Sequence, residues 1–360
     1  MERGEREFFD GLATLPDSTP TPAEANGQAP AAHLRRASDG AEGLAERLRG
    51  ADLIAPRRIA SSRGWRRLLY RVSRKRINVG ESADERRVRD LRNIVTTNLR
   101  GTYTVAVLGG KGGAGKTAMT VAVASMFASL RNDHVVAIDA DPAQAANLAS
   151  RVDPKASSIH EINADTSLMR YADMRAFTGQ NQVGLDVVAS PRHAGSRGAG
   201  LTAEEFRQAH NRLQRFYSVL FVDCGTDLEH EVMAGVLERA DTVMMIASAV
   251  PDGAEGADTS FGWLRDGGRQ ELLTRAVLVI NHIRAERSRK DRKTTARLVG
   301  TLHEHFGHWV SPQRMVVVPF DPHVASAGLV DLEQLSALTR RRVLEAAAAL
   351  ASGFSTATDA

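Results

Sequence analysis

The sequence predicts a doubly wound α/β fold, a mostly parallel sheet with helices on both faces, preceded by a disordered N-terminal extension. Three observations carry this expectation. From about residue 101 onward, short apolar runs alternate with amphipathic stretches of helical length, the pattern of strand–crossover–strand units. The first apolar run passes directly into Gly110-Lys111-Gly112-Gly113-Ala114-Gly115-Lys116-Thr117 and then into a helical stretch, the strand–loop–helix setting that a phosphate-binding loop requires. Lys116, Asp139, Asp223 and Asn281 all fall at the ends of apolar runs, which right-handed crossovers would gather along one carboxyl edge of the sheet.

In order along the chain, residues 81–98 (ESADERRVRDLRNIVTTN) read as a charged helix leading into a first strand at 103–108. Ala118-Met119-Thr120-Val121-Ala122-Val123-Ala124 opens a packed helix, and the apolar residues 134–138 form a strand that runs into Asp139 and Asp141. Further strands are expected at 184–189, 218–223, 241–249, 276–280 and 315–318. Helices are expected at 203–217, 229–240, 257–265, 292–306 and 331–351.

The glycines of the loop let successive backbone N–H groups converge on a phosphate chain, and the helix N-terminus adds its partial positive charge. Lys116 reaches the β- and γ-phosphates in such a loop, and the Thr117 hydroxyl holds Mg²⁺. Lys111, directly after the first glycine, is a second cation where ordinary phosphate loops tolerate many residue types.

In KGGAGKT the chain resembles the deviant Walker A family, which includes MinD and ParA ATPases, and hence the MinD-like class of P-loop NTPases. The resemblance implies ATP and Mg²⁺ as ligands, with Gly110 to Ala118 cradling the phosphates. It further implies that Lys111 crosses a nucleotide-sandwich homodimer to the partner's ATP, where two facing triphosphates need added positive charge. Asp139-Ala140-Asp141 then corresponds to switch I, with Asp139 near the Mg²⁺ shell and Asp141 orienting the attacking water. Asp223, which ends the run Val219-Leu220-Phe221-Val222, matches Walker B and would hold a Mg²⁺-bound water. Asn281, and the loop at Pro319 and Asp321, correspond to positions that contact adenine in relatives. Hydrolysis in such a site works by positioning and electrostatics. With no arginine finger evident, turnover is expected to be slow and stimulated by a partner.

Within the family, the phrases RINVGESADE, VDCGTDL, GWLRDGG, LVINHI and PFDPHVASAG are similar to the EspI-like ATPases of actinobacterial type VII (ESX) secretion systems. That likeness runs from Ile77 to Phe354 and implies a protein partner in a secretion apparatus. The alternative reading is a ParA-like partition ATPase whose ATP dimer coats DNA non-specifically.

Composition agrees with a nucleotide switch. Hydrophobic residues make up 42% of 360, enough for a large core. The single cysteine, Cys224, rules out an intrachain disulfide and offers no metal-ligand spacing. No apolar run approaches the roughly eighteen residues of a membrane span, and MERGEREFFD lacks a signal peptide's apolar centre. A cytoplasmic location, with peripheral contact at the inner membrane face, is therefore expected. His305 and His308 share a helix face but His303 does not, so the trio is a poor metal set.

Four segments result: a disordered Pro/Ala/Gly-rich tail at 1–60, a basic amphipathic and charged helical linker at 61–100, the ATPase domain at 101–354 and a disordered tail at 355–360. Residues 57–76 (RRIASSRGWRRLLYRVSRKR) hold nine Arg or Lys and no acid, contributing +9 where the chain totals +4 and the remainder is therefore −5. Trp65, Leu68, Leu69 and Val72 fall on one helical face. This face either docks on an anionic membrane, DNA or a protein, or packs onto the ATPase domain through Trp65 and Leu68. The second basic segment, 284–293, is a candidate for DNA phosphates or an anionic surface, diluted by Glu286 and Asp291.

Overall fold

In the computed structural model, which describes residues 59–61, 64–142, 147–191 and 200–354, the chain alternates strand and helix as expected. Helices α1 (Gly64–Val72) and α2 (Ala83–Val95) precede β1 (Tyr103–Leu108), α3 (Lys116–Leu130) and β2 (Val135–Ala140). Then come α4 (Ile159–Ala164), α5 (Tyr171–Arg175), β3 (Gly179–Gln180), β4 (Leu185–Val188), α6 (Ala203–Leu213), β5 (Val219–Cys224) and α7 (Val232–Arg239). The chain continues through β6 (Thr242–Ser248), α8 (Pro251–Asp266), α9 (Gln270–Arg275), β7 (Val277–Asn281), α10 (Arg289–Phe306), β8 (Met315–Val318), α11 (Pro322–Ala325) and α12 (Ala337–Ala351). The tails expected at 1–60 and 355–360 lie outside the described residues, apart from 59 and 60.

The eight strands form one sheet in the order β3-β4-β2-β5-β1-β6-β7-β8. Every pair is parallel except β3–β4. A parallel sheet is covered on both faces, and strands β1, β2 and β5 are buried along their whole length. Alternation sorts their side chains: Val105 and Val107 join the layer under α3 and α12, with Phe127, Leu344 and Phe354, while Ala106 and Leu108 face Phe206, Val236, Phe261 and Phe306. β3 escapes prediction because two residues carry no period; they become strand only by pairing with Val187 and Asp186.

Helix boundaries depart from expectation where tertiary contacts intervene. α6 stops at Leu213, because the amides of Phe216 and Tyr217 turn back onto the Leu213 carbonyl. That turn sends the Tyr217 hydroxyl into the core, where it donates to Asp186 Oδ2 at 2.8 Å. α8 begins six residues before 257, at Pro251, whose missing N–H costs nothing in a first turn. α12 begins at Ala337 behind a Ser336 cap that accepts from Thr339 N at 3.1 Å.

α2 is docked, not free. Val95 is fully buried, Val88 and Leu91 pack on the same core as α12, and Asp84 pairs with Arg341. α1 behaves differently: Trp65, Leu68 and Val72 are 64%, 63% and 73% exposed, so packing of Trp65 and Leu68 onto the domain is overturned.

One buried histidine gives the fold a pH dependence. His210 Nε2 lies 2.9 Å from Thr104 Oγ1, and its Nδ1 has no partner among the described residues. Burial first, and the nearby Arg239 charge second, pull its pKa from 6.5 to about 4. Between those values the unfolded chain binds the extra proton, so stability is complete above pH 6.5 and is lost as pH falls toward 4. Urea unfolding is expected to show a loss of up to about 3 kcal/mol across that window, flattened in His210→Gln. An unchanged slope in the variant would assign the loss to other groups.

Candidate functional site

The β1–α3 connection needs two backbone conditions that only glycine meets. Gly115, directly before α3, has φ 85°, which leaves the first N–H groups of the helix pointing into the loop with no side-chain cap. Gly110 lies against the backbone of Gly256 in α8, so closely that a Cβ on Gly110 would overlap it. By contrast, a Cβ on Gly112 would meet nothing within 4 Å, so the loop is open on that side.

Lys116 begins α3 and points into the edge of the sheet. Its Nζ lies 3.1 Å from Asp223 Oδ1, with side chains 10% and 2% exposed. Burial is the largest single influence and opposes the ammonium charge, but the neighbouring acidic groups, Asp223 first, together outweigh it and hold the lysine pKa above its ordinary value. One turn on, Thr120 Oγ1 lies 3.2 Å from the same oxygen while also donating to the Lys116 carbonyl at 3.0 Å.

Asp139 and Asp223 are register partners on β2 and β5, which brings two buried carboxylates together. Burial, then the charge of Asp223, pushes the Asp139 carboxyl up to about 7, against backbone amides of Leu148 (3.0 Å) and Asp141 (3.2 Å) that favour its ionised form. Asp141 follows at the strand end, half-buried. Its carboxylate lies 2.8 Å from where a Cβ on Gly225 would sit, beside the chain leaving β5. Thr117 is half-exposed on the first turn of α3. Two carboxylates and a hydroxyl make an all-oxygen set of the kind Mg²⁺ prefers, and one lysine does not neutralise both acids. These residues fit a phosphate chain with its Mg²⁺.

The other expected residues are placed less uniformly. Asn281 is buried at the end of β7 and donates Nδ2 to the Ala114 carbonyl at 2.9 Å, bracing the loop from below. Asp321 caps α11 by accepting from His323 N at 2.9 Å and accepts from Ser336 N at 2.9 Å, so both oxygens shape the loop after β8. Pro319 is half-buried just before it. Lys111 stands apart at the rim, its side chain 50% exposed and its Nζ 3.9 Å from Asp252 Oδ2 at the start of α8.

Sequence reasoning missed three contributors. Thr120 was accessible to it, being four residues from Lys116 on one helix face. Gly256 was not, since its role depends on a loop more than a hundred residues away. Nor was Arg151, whose Nε and Nη1 are buried without hydrogen-bond partners among the described residues and whose charge acts on Asp223. His305, from the rejected metal trio, lies with Nε2 3.0 Å from Asp258 Oδ1, which also accepts from Trp309 Nε1 at 2.9 Å.

Residues 105–345 match the model of the CobQ/CobB/MinD/ParA nucleotide-binding domain. The chain belongs to this family. It is 38% identical over 298 residues to the ESX-1 secretion-associated protein EspI of Mycobacterium tuberculosis, in strains CDC 1551 / Oshkosh and H37Rv, covering 82% of this chain and 43% of that protein. The chain thus spans less than half the length of the curated relatives it matches. Among solved structures it is similar to a ParA family ATPase from Chlorobium tepidum TLS, at 14% identity and TM-score 0.55, covering 69% of this chain and 98% of that one. It is also similar to the MinC:MinD cell division protein complex of Aquifex aeolicus, at 15% identity and TM-score 0.51, covering 68% of this chain and 94% of that one. At those identities the likeness is one of fold. No helix among the described residues is long and apolar enough to cross a membrane.

Proposed function

We propose that this chain is an ATP-driven dimerisation switch that hydrolyses ATP slowly and acts on a partner complex. The observation that carries this reading is the divergent placement of two lysines in one loop. Lys116 is paired with the buried Asp223 carboxylate, whereas Lys111 is held at the rim with its side chain half-exposed. A rim lysine is positioned to serve a phosphate chain on a second molecule. Thr117, Asp139 and Asp223 would hold Mg²⁺, which would supply charge neutralisation on the phosphates. The Gly110–Ala118 backbone and Lys116 bind and orient the triphosphate, Asp141 orients water, and Asn281, Pro319 and Asp321 shape the pocket for the base. The proposed partner machinery is a type VII secretion system, a reading supported by the 38% identity to EspI, and the proposed location is cytoplasmic.

The test is the mass of the particle in solution with a non-hydrolysable ATP analogue and with ADP. The intact chain is expected to dimerise with the analogue only. Lys111→Ala is expected to remain monomeric while still binding nucleotide, and Asp141→Ala to accumulate the dimer under ATP. Equal dimerisation of Lys111→Ala would refute a role in trans.

A second reading, DNA coating in the ParA manner, is favoured by one observation: Arg289, Lys290, Arg292 and Lys293 are all exposed at the start of α10. It predicts duplex binding that needs ATP and falls steeply with salt.

A further inference from the structure

We propose that α1 and the basic turn after it form a lipid-binding element that seats this chain on an anionic phospholipid bilayer. The first ground is an apolar arc that no element among the described residues buries. Trp65, Leu68, Leu69 and Val72 share one side of α1, and the helix buries none of its residues. Trp65, Leu68 and Val72 are among the most exposed large apolar side chains described, whereas α2, the next helix, docks through Val95. Scattered exposed apolar residues need no explanation, but three on one arc of a nine-residue helix form a surface.

The second ground is charge. Arg66, Arg67, Arg71, Arg74, Lys75 and Arg76 lie in or just after α1, with no acid from 64 to 76. Arg66 and Arg71 flank the arc on opposite sides, where their stems can lie along an apolar phase and their heads remain with lipid phosphates. Arg66 also sits 5.6 Å over the Trp65 ring and donates to the Glu81 carbonyl at 3.1 Å. No carboxylate pairs with Arg71, Arg74, Lys75 or Arg76 among the described residues.

The third ground is backbone strain. Arg74 and Lys75 are consecutive non-glycine residues with φ 51° and 69°. This left-handed pair ends the helix and folds the chain back, with the Lys75 amide donating to the Tyr70 carbonyl at 2.8 Å. It crowds Arg67, Arg71, Arg74 and Lys75 with Tyr70 around an open depression of about 410 Å³. Strained backbone and gathered like charges both disfavour this arrangement in the free chain. An anionic ligand offsets both. A bilayer supplies the phosphates and an apolar phase together, whereas a DNA duplex surface leaves Leu68 and Val72 in water.

The inference does not rest on the nucleotide reading, and its test omits nucleotide. The intact chain is sedimented with vesicles of phosphatidylglycerol and phosphatidylcholine in equal parts, and with phosphatidylcholine alone. Binding to the anionic vesicles only is expected. It should weaken about tenfold or more in Leu68→Asp/Val72→Asp and, separately, in Arg71→Gln/Arg74→Gln/Lys75→Gln. Unchanged melting of the variants excludes unfolding, since no residue altered is buried. Failure to bind anionic vesicles overturns the proposal and points to an acidic protein or DNA. Binding that ignores Leu68→Asp/Val72→Asp also overturns it, because the apolar arc then takes no part.

Discussion

Lys116→Ala is expected to damage the protein twice, once in its chemistry and once in its fold. With nucleotide, removing the buried lysine of the proposed phosphate site should lower turnover on the order of 10²-fold or more. Without nucleotide, the same change strips Asp223, 2% exposed, of its direct ion pair beside a second buried carboxylate at Asp139, leaving only the longer-range charge of Arg151. Breaking a buried ion pair from one side typically costs about 3 kcal/mol or more, so the apo variant should melt well below the parent. The double variant Lys116→Met/Asp223→Asn separates the two effects. It removes both charges, keeps a group that can accept from Thr120, and is expected to recover most of the lost stability but none of the turnover. Denaturant unfolding and phosphate release on the three proteins decide the matter. Parental apo stability in Lys116→Ala would mean that the pair contributes nothing net to the fold.

Gly110→Ala is expected to be nearly as severe, for a purely steric reason. The added Cβ would overlap the Cα, carbonyl carbon and oxygen of Gly256. Those are main-chain atoms in the interior of α8, so no rotamer change relieves the clash. Either the loop or the helix must move. Overpacking against backbone should cost about 3 kcal/mol, or displace the loop and remove nucleotide binding. Gly256→Ala acts in the same direction, its Cβ meeting the Gly110 carbonyl carbon at 2.9 Å. Gly112→Ala is the control: its Cβ meets nothing within 4 Å, and stability should stay within about 0.5 kcal/mol of the parent. Equal melting of Gly110→Ala and Gly112→Ala would show that the two backbones are not tightly held.

Much of this architecture was legible in the residues. Seven strands could be placed from apolar runs alone, because a strand covered on both faces must be apolar at nearly every position. The helix starts were harder. α8 opens with Pro251, Gly253 and Gly256, residues that disfavour a helix interior, yet Gly253 lets it pass Ser248 at the end of β6 and Gly256 lets it close on the β1–α3 loop. The charged stretch at 81–98 reads as exposed, yet Val95 is fully buried and Asp84 is paired across 257 residues with Arg341. Nothing local distinguishes such a helix from a linker.

The candidate site divides the same way. Gly115, Lys116 and Thr117 follow from the chain's own order, since a loop that turns a strand end into a helix N-terminus is made by consecutive residues obeying backbone sterics. Asp139 and Asp223 were recognisable one at a time as acids at strand ends. That they face each other was decided by β2 pairing with β5 in one register, and burial, with the Asp223 charge second, then pushes Asp139 up to about 7. The exposure of Trp65, Leu68 and Val72 was decided there too, since periodicity puts residues on one face but does not say whether anything covers it. The sequence by itself determined the ligand class, through local backbone geometry. Tertiary structure decided which charges meet and which apolar face is left uncovered, because burial and Coulomb interaction depend on distance in space between residues far apart along the chain.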